Sequence, residues 1–371
     1  MVPSLGAGQS APALHAQGQL EGVGHRRRLA AAEASVTSTF LFDAGGNQGA
    51  EGSDSADEWY IENVFEELDA PGEFYFDSGA GLLYAIFNTT DPPDEVVVPT
   101  LATLIEVRGT ASCPSTSAKP SRVRDVTIAH LEMRDTRPTY MDPRANPSGG
   151  DWSLERSGAL LAAGSEDLTV DEVRFTQLDS NAVFFSGYNR RANITHCEFS
   201  SLGQSAIASW GFTDNTTTNE ALRGDFPRGT SIMHNWCHDI GLLQKQSAFY
   251  FQAITAEATI GSNIVFNVPR AGVNFNDGFG GGSKLVNNLM FNTCRESGDH
   301  GAFNSWDRLP YITDVRQSGV PSTIPAWNDF ERNFIVSNYA ADGGCFDNDD
   351  GSSYYKLHHN LCVFGKSFPR S

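Results

Sequence analysis

The sequence predicts an all-β chain: a right-handed parallel β-helix, a single-stranded solenoid, behind a disordered N-terminal segment. Short β-rich runs recur with an asparagine at the same place, Asn235, Asn263, Asn288, Asn333 and Asn360, separated by 28, 25, 45 and 27 residues. No helix-length segment lies between these runs, so each unit must bury its apolar side against the next, strand on strand at ~4.8 Å. The composition agrees, with 36 Gly and 24 Phe among 371 residues. A propeller needs blades of ~40 or more residues, longer than these units.

Residues 1–35 are rich in Ala, Gly, Gln and Ser and have no apolar period, which predicts disorder; the solenoid is expected over 36–371. Asp57 to Leu68 has the pattern of a short helix ended by Pro71-Gly72. Glu73–Asp77 and Leu82–Phe87, joined by Ser78-Gly79-Ala80-Gly81, predict a hairpin. The coils then begin, with runs at Val126–Ile128, Leu168–Val170 and Asn193–Thr195, and insertions near 137–153, 212–228 and 307–326. The aligned asparagines predict a buried ladder in which each amide satisfies its neighbours. The chain stops shortly after a coil without a polar cap, so a solenoid truncated at one or both ends is expected.

A formal charge of -19 repels phosphate backbones and anionic lipid surfaces, so neither nucleic acid nor membrane is expected as a partner. No apolar run approaches the ~18 residues of a membrane helix, and the N-terminus lacks the apolar core of a signal peptide. Three Asn-X-Thr sequons, at Asn88, Asn193 and Asn215, permit glycosylation in a secreted or extracellular setting. The six cysteines contain no CxxC pair; they leave open buried thiols or one or two disulfides.

The candidate chemistry lies between Arg270 and Gly351. Aligning the second strand of each coil on its small leading residue gives a column of Ser186, Trp210, Gln252, Asp277, Trp306 and Asp349. In that register Asp277 and Asp349 flank Trp306, ~9 to 10 Å apart at the backbone. An inverting glycosidase spaces its carboxyls by ~6.5 to 9.5 Å. Asp277 and Asp349 are therefore the expected acid and base, tuned by Asp299 or His300. Trp306 is the expected stacking platform, with Trp210, Asn304, Arg270 and Arg295 as further substrate contacts. The two arginines stand at equivalent positions, seven residues after their coil's asparagine.

No cofactor is required for this chemistry. Asp347 and Asp350, in the run Asp347-Asn348-Asp349-Asp350-Gly351, offer oxygens for calcium, although an EF-hand loop is excluded because its twelfth position is His358. His234 and His238 lie ~13 Å apart along a strand and cannot share an ion.

The run from Glu58 to Glu73, Val268-Pro269-Arg270-Ala271-Gly272, Asp277-Gly278-Phe279-Gly280-Gly281, Gly298 to Trp306, and Asp347 to Ser353 resemble a family of pectate-lyase-like right-handed β-helix proteins. That family is grouped with carbohydrate-active enzymes, close to β-helical glycoside hydrolases of fucosidase and xylanase type. The resemblance spans about residues 40–371 and implies a β-helix acting on carbohydrate. The expectation is a monomeric glycoside hydrolase of a cell-wall or algal polysaccharide. A polysaccharide lyase or uronate epimerase, and a non-catalytic glycan-binding β-helix, are the alternatives.

Overall fold

The computed structural model describes residues 62–89, 93–110, 121–140, 142, 154–212, 225–276, 281–298, 300–306, 326–340, 344–349 and 351–365, with the backbone of two short strands, Gly18–Gln19 and Thr39–Phe40. The chain forms two compact units, Met1–Ala44 with Ala50–Val98, and Gly45–Gly49 with Pro99–Ser371. Apart from Gly18–Gln19, the expected disordered segment 1–35 lies outside the described residues, as do the greater parts of the three insertions.

In the first unit the expected hairpin is present: Phe74–Asp77 pairs antiparallel with Leu82–Ala85. Asp77 Oδ1 accepts from the Gly79 and Ala80 N–H groups at 2.9 Å, which closes the turn. The expected helix is not there among the described residues. Only Phe65–Glu67 makes a 3-10 turn, while Asp57–Ile61 lies outside them. The cause is Asn63, which adopts a left-handed φ of 58° and spends its amide on the Phe76 N–H and C=O. A helix cannot pass through that residue.

The second unit is a parallel β-helix of three sheets. Each coil lays down one strand per sheet in turn. The first sheet has eight strands from Thr127–Ala129 to Tyr355–His358, the second eight from Glu132–Met133 to Leu361–Val363. The third has ten, its main path running from Ile105–Arg108 to Phe346–Asn348. All pairings within these sheets are parallel, as for Ile194 with Ile232 and Phe199 with Cys237. The inward side chains of all three sheets form one core, in which Phe175 and Phe199 stack at 4.9 Å and Phe275, Phe303 and Phe330 meet edge to face.

The turn between the first and second sheets repeats one device. A residue with left-handed φ, such as His234, Ser262, Asn287, Arg332 or His359, turns the chain just before the ladder asparagine. Asn235, Asn263, Asn288 and Asn333 each donate from Nδ2 to the next Oδ1 at 2.9–3.0 Å, ending at Asn360. The same oxygens accept the preceding backbone N–H, and each Nδ2 also donates to a carbonyl such as Ile232 O or Leu285 O. The ladder extends one step further than the sequence suggests, since Cys197 N donates to Asn235 Oδ1. Two of the cysteines, Cys345 and Cys362, form a disulfide that ties the third sheet to the second. Cys197, Cys237 and Cys294 are buried thiols.

Candidate functional site

The third sheet differs from the other two in burying both faces of its strands Tyr250–Ala253, Val273–Asn276 and Phe303–Trp306. Along Val273–Asn276, Val273 and Phe275 enter the main core, so Asn274 and Asn276 take the opposite, outer face. Both asparagines are only 1% exposed. A second apolar cluster lies on this outer face, built from Phe184, Ala208, Phe251, Ala253 and Trp306, with Trp210 against it.

Strand pairing sets two outward rows. One runs Phe251, Asn274, Asn304, Asp347. The other runs Ser186, Trp210, Ala253, Asn276, Trp306. Asp349 extends the second row beside Trp306, because its N–H bonds the Ser305 carbonyl at 2.9 Å.

This register corrects the expected column at two positions. Ala253 stands where Gln252 was expected, and Asn276 takes the place of Asp277 next to Trp306. Asp277 itself, with Asp299 and Asp350, lies outside the described residues. Gln252 belongs instead to the inward row with Phe275 and Ser305. Trp306 sits beside Asp349 as expected, but the residue is 3% exposed and packed in the outer cluster, so it presents no open stacking face.

The polar half of this face is unusual energetically. Both amide atoms of Asn274 and of Asn276, and Asn304 Oδ1, are buried without a hydrogen-bond partner. An unpaired buried polar atom costs roughly 1–3 kcal/mol, so three such side chains side by side are a poor way to fill a core. Asn304 Nδ2 donates to Asp347 Oδ2 at 3.2 Å. Asp347 is half-buried and Asp349 exposed, so the amides lead to a carboxylate pair open to solvent. Asp347 and Asp349 are two residues apart on one face, their backbones ~6.6 Å apart along the strand.

Arg156 flanks the aromatic half. Its guanidinium lies 4.0 Å from the Trp210 ring centre and 4.7 Å from that of Phe212. Nη1 donates to Ser186 Oγ and the Trp210 carbonyl, and Nη2 to the Gly211 carbonyl. Burial alone lowers its pKa to about 9. No carboxylate pairs with it among the described residues.

The remaining expected residues are placed elsewhere. Arg270 is 2% exposed, and its Nη2 lies 2.7 Å from His300 Nε2; Ser297 Oγ contacts the other ring nitrogen of His300. Arg270 precedes Val273–Asn276 and His300 precedes Phe303–Trp306, so the pair lies at the turns leading into these strands, with His300 six residues along the chain from Trp306. Arg295 occupies the position equivalent to Arg270 but is exposed. His234 stacks on His196, and His238 stacks on Phe266 while bonding Asp239, so the two do not converge.

Asn274, Asn276 and Arg156 join the site only in the folded chain. The first two carried a signal: the alternation Asn-Phe-Asn places two polar groups on one face around an inward Phe. Arg156 carried none, because it reaches Trp210 across 54 residues.

No family model matches the chain, and no curated protein matches it. Among solved structures it is similar to one titled "Glycoside hydrolase", with a TM-score of 0.54 and 14% identity. The match covers 81% of this chain and 57% of that one, so the chain spans little more than half the length of the solved structure that it matches. What the two share is the fold.

Proposed function

We propose that the protein is a carbohydrate-active β-helix that hydrolyses a glycosidic bond of a polysaccharide on the outer face of its third sheet. The observation that carries this is the cluster of buried amides with unpaired atoms, Asn274, Asn276 and Asn304 on two adjacent outward rows, next to Asp347 and Asp349. Sugar hydroxyls both donate and accept, and amide groups offer both functions in return. The backbone spacing of ~6.6 Å between Asp347 and Asp349 lets side-chain rotation bring their carboxyls within the ~6.5 to 9.5 Å of inverting glycosidases. Asp347, which accepts from Asn304, is the base that activates water; Asp349 is the acid that protonates the leaving oxygen.

A cell-wall or algal glycan in an extracellular setting, met by a single copy of the chain, fits the acidic surface and the sequons. Calcium held by Asp347 would compete with the base role, so the hydrolysis is proposed without it. A lyase or epimerase is the weaker reading because the Arg270–His300 pair lies off the amide cluster.

One observation favours glycan binding without turnover. The outer face of the second sheet exposes Trp236, Ile264, Phe334 and Leu361, alongside a stack of His238, Phe266 and Phe291 at 4.9 and 4.7 Å.

The test is product release from neutral and uronate polysaccharides, reading reducing ends and unsaturated uronate together. Reducing ends without unsaturation, lost in both Asp347→Asn and Asp349→Asn, are expected. Loss in Asp277→Asn alone would return the chemistry to Asp277. Unsaturated product would establish the lyase, and binding without turnover the holding surface.

A further inference from the structure

The first sheet carries a second chemical group, on a different face of the solenoid from the amide cluster. In its last two strands Glu331 pairs with His358, and His359 follows in the left-handed turn at φ 56°. One ligand atom from each of Glu331, His358 and His359 lies within 4.8 Å of the others. The two imidazoles face each other through their Nδ1 atoms at 2.9 Å, and Glu331 Oε2 is 3.8 Å from His358 Nδ1.

Asp329 supplies the independent observation. Its Oδ1 lies 2.7 Å from His358 Nε2, so it accepts the proton of that nitrogen. A neutral imidazole has one N–H, so its lone pair is then on Nδ1, the atom aimed at His359 and Glu331. A carboxylate behind a histidine, fixing the tautomer and turning the other nitrogen forward, is how proteins orient metal-ligating imidazoles.

The neighbouring cations leave the cluster open. Arg332 engages Glu331 through Oε1, leaving Oε2 on the histidine side. Lys356, paired across from Asp329, lies over the Trp327 ring at 5.2 Å.

We propose that Glu331, His358 and His359 bind a divalent transition-metal cation of the zinc class, with Asp329 positioning His358. Two imidazoles and a carboxylate suit such an ion, whereas calcium takes oxygen ligands only. Nitrogen ligands ~2.05 Å from a tetrahedral zinc stand about 3.3 Å apart, so the imidazoles separate by a few tenths of an ångström on binding. As the ion enters, His359 changes tautomer: the Nδ1 proton between the two rings is given to solvent while Nε2 takes one up, so both histidines stay neutral and present Nδ1 lone pairs. Water completes the fourth position.

The experiment is calorimetric titration of the chelator-stripped full chain with Zn2+, with Co2+ as an absorption probe of ligand geometry. One equivalent of zinc is expected, with a tetrahedral cobalt spectrum. His358→Ala and His359→Ala should each weaken zinc binding by roughly 100-fold or more, and Asp329→Asn by roughly 10- to 100-fold with the cobalt spectrum kept. His196→Ala, which alters another histidine pair at the equivalent turn, should change neither. Absence of saturable zinc uptake would overturn the assignment. So would unchanged affinity in both His359→Ala and Glu331→Gln, at an exposed and a half-buried site, with the fold of each variant checked by circular dichroism.

Discussion

Asn304 donates to Asp347 across adjacent strands at 3.2 Å while its own Oδ1 stays buried and unpartnered. The side chain is half-satisfied, and the half that is satisfied orients a carboxylate. Asn274, its partner on the preceding strand, is satisfied at neither atom. Such groups are retained against stability when they serve a ligand.

If the buried amides are kept for binding, removing one should stabilise the fold. Asn276→Leu keeps the branched shape and removes both unpaired atoms. The denaturant midpoint is expected to rise, corresponding to about 1–3 kcal/mol, while glycan binding falls. A lowered midpoint would show that Asn276 serves the fold instead.

The asparagine ladder should behave in the opposite way. Asn288→Ala strips Asn263 N and Nδ2 of their shared acceptor and removes the donor to Ile260 O. Each orphaned buried group costs about 1–3 kcal/mol, so a loss of at least 3 kcal/mol is expected in equilibrium unfolding. Asn360→Ala, at the end of the ladder, should cost less.

Glu166 gives a pH-dependent term. The Arg124 guanidinium at 2.9 Å, helped by the Tyr188 hydroxyl and Arg191, holds its carboxyl below the ordinary glutamate value of 4.5 despite partial burial. Its folded pKa is depressed, so the stabilisation is full above pH 4.5 and is lost as pH falls through the lower folded value. Because Arg124 is exposed and the pair is screened by solvent, Glu166→Gln is expected to cost under about 1 kcal/mol at pH 7, and the difference from the unaltered protein should vanish in acid. Chemical denaturation across pH 3–7 measures this.

The Cys345–Cys362 disulfide closes a sequence separation of 17 residues, a constraint worth roughly 3 kcal/mol on the unfolded chain. Reduction should lower the unfolding midpoint accordingly. Cys197, Cys237 and Cys294 should resist alkylation until the chain unfolds, because they are buried; burial pushes the Cys197 thiol up to about 11. Labelling before and after denaturation distinguishes the two classes.

The coil repeat was legible in the chain because the ladder asparagines recur in a fixed relation to the turns, and a buried amide at each turn is a local requirement repeated along the sequence. Asn235, Asn263, Asn288, Asn333 and Asn360 thus announced the solenoid and its stacking order. The register of the third sheet was not legible. A strand reports its register through alternation only when one face is wet. Here Phe249, Tyr250, Phe251 and Ala253 are all buried, so apolar residues follow one another without marking a face. The exchange of Asp277 for Asn276 beside Trp306 follows from that ambiguity. Residues whose partners stand one or two coils away, such as Arg156 over Trp210 or Asp329 behind His358, had no signature in the sequence either. Only stacking the coils decided them, because parallel pairing joins residues that the chain separates by a whole turn.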